Sequence, residues 1–464
     1  MCGSINRKTA GGTTDSTQLL TLMITTNESY LITEFGAVPD AESNNAGSIQ
    51  AAIDECAKNG GGRVVIPAGT FLSGKLFLRS RVELRLEQGA TLLCTPNIDD
   101  IHPDKGYCHG IESSFICAED AEDIAITGLG VIDGNGRAYV AERLPHIYVM
   151  PEKRPITFYI GGCKRVTITG ITIRDGANWT LWLVGCDDVF IQGIRMYNDL
   201  KLPNSDGIDI DRCRNVHITD CHIEAGDDAI VLKTMRRFER YGGSDNIVVR
   251  GCTLVSTSSA ICIGCEIAAP VRNVIFDSCI ISSSHRGLSI NHSYEADIEN
   301  VLFSNIFIET RLFHDRWWGR GEPIYVKVLP WTEKDSVGQT RNVRFQNIRA
   351  RSENGVLVHG ASSDNIRNIE FENVHIEMVK WSKWPGGKLD LRPCPGAQDG
   401  YGSGVVDHPT HGFLLQKATD VTLRNCSVSW SGTAPDYFKD ALRVDGVEGL
   451  VLDGFRGEPP PARS

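Results

Sequence analysis

Short runs in which apolar and polar residues alternate return along this chain from its second quarter onward, each opened by a polar residue and closed by a small or turn-forming one. Asp123-Ile124-Ala125-Ile126-Thr127-Gly128, Arg165-Val166-Thr167-Ile168-Thr169-Gly170 and Asp188-Val189-Phe190-Ile191-Gln192-Gly193 are three copies. Others begin at Asn215, Asn246, Asn273, Asn300, Asn342, Asn368 and Asp420. A period of two makes these runs strands, because a helix needs apolar spacings of three and four. The copies that begin at 165, 188, 215, 246, 273 and 300 are separated by 23, 27, 31, 27 and 27 residues, so one structural unit recurs with loops of variable length. No single unit can bury its apolar face alone. The pattern therefore predicts an all-β solenoid that folds as one body over residues 29–464.

A few segments depart from the pattern. Ile49, Ala52, Ile53 and Cys56 share a helical face between Ser48 and Asn59, and Gly60-Gly61-Gly62 ends the run, which predicts an N-terminal helix capping the open first coil. Covering that edge hides backbone groups that would recruit another strand. Residues 1–28 are polar and glycine-rich, the composition of a flexible N-terminal arm. Two long interruptions, Arg311 to Thr340 and Val379 to Gly412, carry His314, Arg316, Trp317, Trp318, Arg320, Glu322 and Trp331, then Trp381, Trp384, Lys388, Arg392, Tyr401, His408 and His411. Long loops inside a compact repeat are usually functional, and aromatic faces beside cations suit an acidic sugar. Packing of the tryptophans against the stack accounts for them equally well.

Composition is that of a globular chain, 41% hydrophobic and 23% charged, and the formal net charge of −11 speaks against a nucleic-acid partner. No apolar run reaches the length of a membrane span, which leads to an expectation of a cytoplasmic protein. Cys2-Gly3-Ser4 leaves a lipoprotein start, and hence a periplasmic or secreted location, as the alternative. Fifteen cysteines are an odd number for a disulfide framework, and Cys262-Ile263-Gly264-Cys265 has no second pair with metal spacing. Cys221, Cys252, Cys279 and Cys426 hold the same place in their repeats and predict a column of buried thiols.

Chemistry concentrates in Asn204-Ser205-Asp206-Gly207-Ile208-Asp209-Ile210-Asp211 and Gly226-Asp227-Asp228-Ala229-Ile230. Asp206 precedes Asp227 by 21 residues and Asp228 by 22, close to the shortest coil. Neighbouring coils lie about 5 Å apart, so the three carboxyls should meet. They cannot all stay ionised: one is driven toward a proton donor while its neighbours remain bases. Such equipment cuts a glycosidic bond, for which inverting enzymes place two carboxyls about 6.5–9.5 Å apart. Turns that bond their own backbone, or a calcium site built from the same oxygens, are the other readings of these residues.

These motifs resemble the Asn-Thr-Asp-Gly and Gly-Asp-Asp of glycoside hydrolase family 28, the polygalacturonase family. Glu34-Phe35-Gly36-Ala37-Val38, Ala51-Ala52-Ile53 and Val64-Val65-Ile66-Pro67-Ala68-Gly69-Thr70-Phe71 are similar to the entry segment of the pectin-degrading β-helices, with smaller matches at Arg154-Pro155 and Asn178-Trp179-Thr180. The likeness runs over residues 30 to 310 and fades beyond. It implies a right-handed parallel β-helix and an inverting hydrolase, with Asp227 as general acid and Asp206 and Asp228 as bases. Lys233 would stabilise an adjacent carboxylate, and neither metal nor organic cofactor is needed.

Two departures bear on substrate. Where the family carries Gly-His-Gly this chain has Thr257-Ser258-Ser259-Ala260, and where it carries Arg-Ile-Lys the chain has Ser289-Ile290-Asn291 after Arg286-Gly287-Leu288. Both cations that grip galacturonate on the leaving side are missing, which favours a neutral sugar such as rhamnose there. His285, Arg286, Asn291, Trp317 and Trp318 join Lys233 as candidate substrate contacts. Arg236, Arg237 and Arg240 read as solvated charges. The expectation is an exo-acting glycosidase on galacturonate- or rhamnose-containing oligosaccharides. A calcium-dependent polysaccharide lyase and a non-catalytic, carbohydrate-binding β-helix are its rivals.

Overall fold

The structure is a computed structural model that describes residues 29–102, 110–396 and 403–461. The expected arm over residues 1–28, Cys2 and Tyr401 lie outside the described residues.

Each coil supplies one short strand to each of three sheets, and every strand pairs in parallel with its counterparts one coil away. Leu181–Val184, Ile208–Asp211 and Ile230–Thr234 stack in the first sheet with Trp182, Asp209 and Val231 in register. Asp187–Gln192, Arg214–Thr219 and Ser244–Arg250 stack in the second, and Arg195–Tyr197, His222–Ala225 and the start of Thr253–Ile267 in the third. The winding is a right-handed parallel β-helix, the hand that parallel crossovers take. Ile208, Ile210, Ile230 and Leu232 point inward and are fully buried, whereas Asp209 and Asp211 project from the outer face of the first sheet.

Polar residues open the repeats for a backbone reason. Asp123, Asp188, Asn215, Asn246, Asn273, Asn300, Asn342, Asn368 and Asp420 all have φ between +52° and +61°, the left-handed region that Asn and Asp tolerate best. The asparagines then bond along the stack, Asn246 to Asn215 at 3.1 Å and Asn368 to Asn342 at 2.8 Å. A second ladder through Asn305, Asn347, Asn373 and Asn425 serves the next corner.

Inside, like stacks on like. Phe276, Phe303, Phe345 and Phe371 stand ring over ring at 4.9, 4.9 and 5.0 Å. Cys221, Cys252 and Cys279 form the expected column, with the Cys252 thiol shared between its neighbours, and Cys426 occupies a later coil. A second column, Cys163, Cys186 and Cys213, joins the first and second sheets. The helix predicted over Ser48 to Asn59 spans Ala46–Lys58, buries Ile49, Ala52, Ile53 and Cys56, and lies on the first coil. Gly61 follows it with φ of +107° at a point where a Cβ would strike the Arg81 backbone.

The phenylalanine column is a direct test of the stack. Phe303→Ala should cost about 3–5 kcal/mol in denaturant unfolding, as large core truncations do, while Phe190→Ala on the half-exposed outer face should cost well under 1 kcal/mol.

Candidate active site

The carboxyl cluster sits where the chain turns from the third sheet into the first. Asp206 ends the loop before Ile208–Asp211, and Asp227 and Asp228 occupy the turn before Ile230–Thr234. Coil-to-coil bonds set the register: Gly207 N donates to Asp228 O at 2.8 Å, and Ala229 N to Ser259 O at 3.0 Å. Asp206, Asp228, Ser259, Arg286 and Glu322 thus hold equivalent places on successive coils. The motif glycines allow this approach, since a Cβ on Gly207 would lie 2.2 Å from Ala229 O and one on Gly226 2.1 Å from Leu202 O.

One oxygen from each of Asp206, Asp227 and Asp228 lies within 4.8 Å of the others. That is tighter than the span anticipated from the sequence. It matches two carboxylates sharing a single water, which at hydrogen bonds of about 2.8 Å sets their oxygens roughly 4.5–5 Å apart. Burial, then Asp228, pushes Asp227 up to about 7, although the Ser258 hydroxyl, Lys233 and the Trp317 indole pull the other way. Burial, with Asp209 and Asp227 nearby, also raises Asp206 well above the carboxylate range. Asp228 is treated differently: its Oδ1 accepts from Ser258 Oγ at 2.7 Å and Ser259 N at 2.9 Å. Negative charge in the cluster is best supported there.

Lys233 is the counter-charge. Burial opposes its charge, but Glu266, Asp209, Asp206 and Asp228 outweigh that and keep the ammonium protonated. Its Nζ lies 3.5 Å from Glu266 and 5.0 Å from the Trp179 ring centre. On the other side Arg154 donates to Asn204 Oδ1 at 2.9 Å, and Asn204 donates in turn to Asp227 Oδ2 at 3.3 Å. A cleft of about 590 Å³ opens beside this relay. A larger concavity of about 800 Å³ lies on the outer face of the third sheet, around Phe307 and Arg349, away from the acids.

The other expected contacts are placed differently. His285 is fully buried, with Nδ1 against Trp318 O at 2.9 Å and Nε2 accepting from Phe313 N at 2.9 Å, so both ring nitrogens serve the loop backbone. Arg286 is equally buried, 3.5 Å from Glu322 and 3.3 Å from Asp390. Asn291 donates to Cys265 Sγ at 3.1 Å and to Arg392 O at 3.3 Å. All three are buried and bond the long loops, although Asn291 Oδ1 has no hydrogen-bond partner among the described residues. Trp317 reaches the acids, and Trp318 stacks under the Arg392 guanidinium at 4.7 Å. Of the arginine trio, Arg236 pairs with Glu295 at 2.7 Å and Arg240 lies 3.7 Å from Glu119, both exposed; Arg237 covers Trp182 at 4.8 Å.

Asp390 ties the two long loops together. Arg392 grips both its oxygens at 2.7 Å, and Gly319 N donates to it at 2.9 Å. Burial opposes its charge, yet Arg286 and Arg392 hold it well below the usual range. The closed loops cover the first sheet beyond the acids, where Ser289 is 0% and Asn291 4% exposed.

Asp209 was missed as a site residue by sequence reasoning. It is wholly buried beside the trio, neither oxygen has a hydrogen-bond partner among the described residues, and burial raises it well above the carboxylate range although Lys233 opposes this. Its outward place in Ile208-Asp209-Ile210 was the available signal. Ser258 and the Arg154–Asn204 relay were missed too, because their partners lie 30 to 50 residues away.

Comparison with known proteins follows this geometry. The profile of Glycosyl hydrolases family 28 matches residues 56–384. A probable polygalacturonase of Vitis vinifera is 30% identical over 262 residues, 52% of each chain. An exo-poly-alpha-D-galacturonosidase of Dickeya chrysanthemi is 27% identical over 273 residues, 48% of this chain and 45% of its own. The chain thus spans about half the length of the curated relatives it matches. Among solved structures, a family 28 exopolygalacturonase of Yersinia enterocolitica aligns over 92% of this chain and 78% of its own, with a TM-score of 0.69 and 19% identity. One from Thermotoga maritima covers 92% of both chains with a TM-score of 0.55 and 22% identity. The structural likenesses establish the fold.

The buried acids predict a pH-dependent stability. Burial raises Asp211 to about 7, so its favourable neutral form is fully present below pH 4 and is lost as pH rises through 7. Asp211→Asn should leave the melting temperature unchanged at pH 4. At pH 8 it should stabilise the protein, by on the order of 2–4 kcal/mol.

Proposed function

Because this chain belongs to Glycosyl hydrolases family 28, we propose that it is an inverting, exo-acting glycosidase of pectin-type oligosaccharides. The observation that carries this reading is the meeting of the Asp206, Asp227 and Asp228 carboxyls within 4.8 Å of one another, where burial and Asp228 raise Asp227 to about 7. Asp227 gives that proton to the glycosidic oxygen as the bond to the anomeric carbon breaks. A water held between Asp206 and Asp228 attacks the same carbon from the opposite face and loses a proton to the carboxylate. Lys233 keeps negative charge tolerable among the bases. The names of the relatives, a probable polygalacturonase and an exo-poly-alpha-D-galacturonosidase, support a galacturonate-containing substrate.

Exo action is supported by the loops locked through Asp390, which cover Ser289 and Asn291 on the coils beyond the acids. That cover also accounts for Ser289 and Asn291, because a cation at either position would face protein rather than solvent. A neutral sugar such as rhamnose is the partner sugar we propose on the leaving side.

The experiment is a screen of pectic oligosaccharides with product analysis. Asp227→Asn should lower kcat by about a thousandfold or more with the fold intact. Proton NMR of the first product should show the inverted anomer, and single sugars should precede any ladder of intermediates. Retained configuration would make one carboxylate a nucleophile, and products with an ultraviolet-absorbing double bond, or loss of activity to a chelator, would favour a lyase.

The same acid gives a pH signature. Since Asp227 works protonated and is raised to about 7, kcat/KM should fall as pH rises through that value. A profile flat from pH 5 to 9 would remove Asp227 from the acid role.

A further inference from the structure

We propose that the cleft beside the acid trio is a sugar subsite in which the Arg316 guanidinium binds the carboxylate of a uronic acid. The proposal rests on the glycosidase reading above and deepens it by naming the group that recognises charge.

The cleft holds about 590 Å³, a volume suited to one or two sugar rings, and Tyr148, Arg154, Pro203, Asn204, Arg316 and Trp317 are among its walls. Two of these reach the chemistry: Asn204 bonds Asp227, and the Trp317 indole bears on the same carboxyl. A sugar seated here therefore has its neighbour at the acid. Tyr148, half-buried at the cleft wall, offers a flat apolar surface for a pyranose face.

Charge recognition falls to one side chain. Arg154 is engaged by Pro151 O and Asn204, Arg320 by the carbonyls of Trp317 and Gly319, and Arg392 by Asp390. Arg316 is exposed, and among the described residues its guanidinium has neither an ion pair nor a hydrogen bond. It presents a planar fork that matches a carboxylate. Arg143 and Lys201 flank Tyr148 at 5.5 and 5.9 Å, so the rim is cationic in a chain of net charge −11. The acidic neighbours are Asp315, exposed and next in the chain, Asp199, which accepts from the Tyr148 hydroxyl at 3.3 Å and is paired with Arg137, and Asp227, which burial raises to about 7.

This arrangement accounts for the missing Arg-Ile-Lys. The cation that reads a uronate stands on a loop on one side of the acids, while the ladder positions Ser289 and Asn291 on the other side are covered by protein. An alternating chain of charged and neutral sugars would satisfy both sides.

The test is calorimetric binding of D-galacturonate, its methyl ester and D-galactose to the full chain, native and Arg316→Gln. The native protein should favour galacturonate at least tenfold over the ester and galactose, and Arg316→Gln should reduce that preference below threefold. Arg316→Lys should recover part of it, since a point charge replaces the fork. A preference that survives Arg316→Gln, or native protein that does not distinguish the three sugars, overturns the proposal. Binding needs no turnover, so failure here is separable from failure of the Asp227→Asn experiment.

Discussion

Backbone hydrogen bonds between successive coils hold equivalent residues about 5 Å apart, and every column of like side chains follows from that spacing. For phenylalanine, asparagine and cysteine the repetition is favourable: rings stack, amides bond along the axis, and buried thiols each donate to a carbonyl of their own coil. For aspartate it is not. Two full charges at that distance repel by about 3 kcal/mol even at an effective dielectric near 20. The ladder that stabilises the solenoid therefore strains the one corner where Asp206 and Asp228 fall in register. Lys233, Ser258 and retained protons relieve the strain, and the retained proton is what an acid catalyst requires.

The sequence carries local and periodic information well and long-range information poorly, and the site divides along that line. Asn215, Asn246 and Asn273 mark coil corners because a left-handed backbone selects them, whatever surrounds them. Asp206, Asp227 and Asp228 were legible because their separation equals one coil. The second thiol column, Cys163, Cys186 and Cys213, lies at intervals of 23 and 27 residues and was equally accessible to that argument. Asp390 and Arg392 were not, since they meet Arg286 across roughly a hundred residues of chain with no period to predict the encounter. His285 and Arg286 looked like ligand contacts for the same reason: their partners Trp318, Phe313 and Asp390 belong to loops whose path no repeat dictates.

Burying Asp390 with Arg286 and Arg392 is costly unless each charge is matched, and the geometry matches them, Arg392 on both oxygens of Asp390 and Arg286 between Asp390 and Glu322. The result is a lock rather than a contact to substrate. Removing any one partner would leave an uncompensated charge beneath the loops, so the arrangement specifies one loop position sharply.

The lock also reaches the acid. Arg392 and Arg320 both hold the carbonyl of Trp317, at 2.9 and 3.3 Å, while the indole of the same residue bears on Asp227. Trp317 is therefore fixed at its backbone by the Asp390 lock and, through its side chain, bears on the proton affinity of Asp227. Ser258 and Lys233 act on that acid from the solenoid, and Trp317 acts from the loop. All three favour the ionised carboxylate, so it is burial by coil and loop together, with Asp228, that raises Asp227 against them. An open loop would admit water, lower the burial that raises Asp227, and leave an ordinary ionised carboxylate in place of a proton donor.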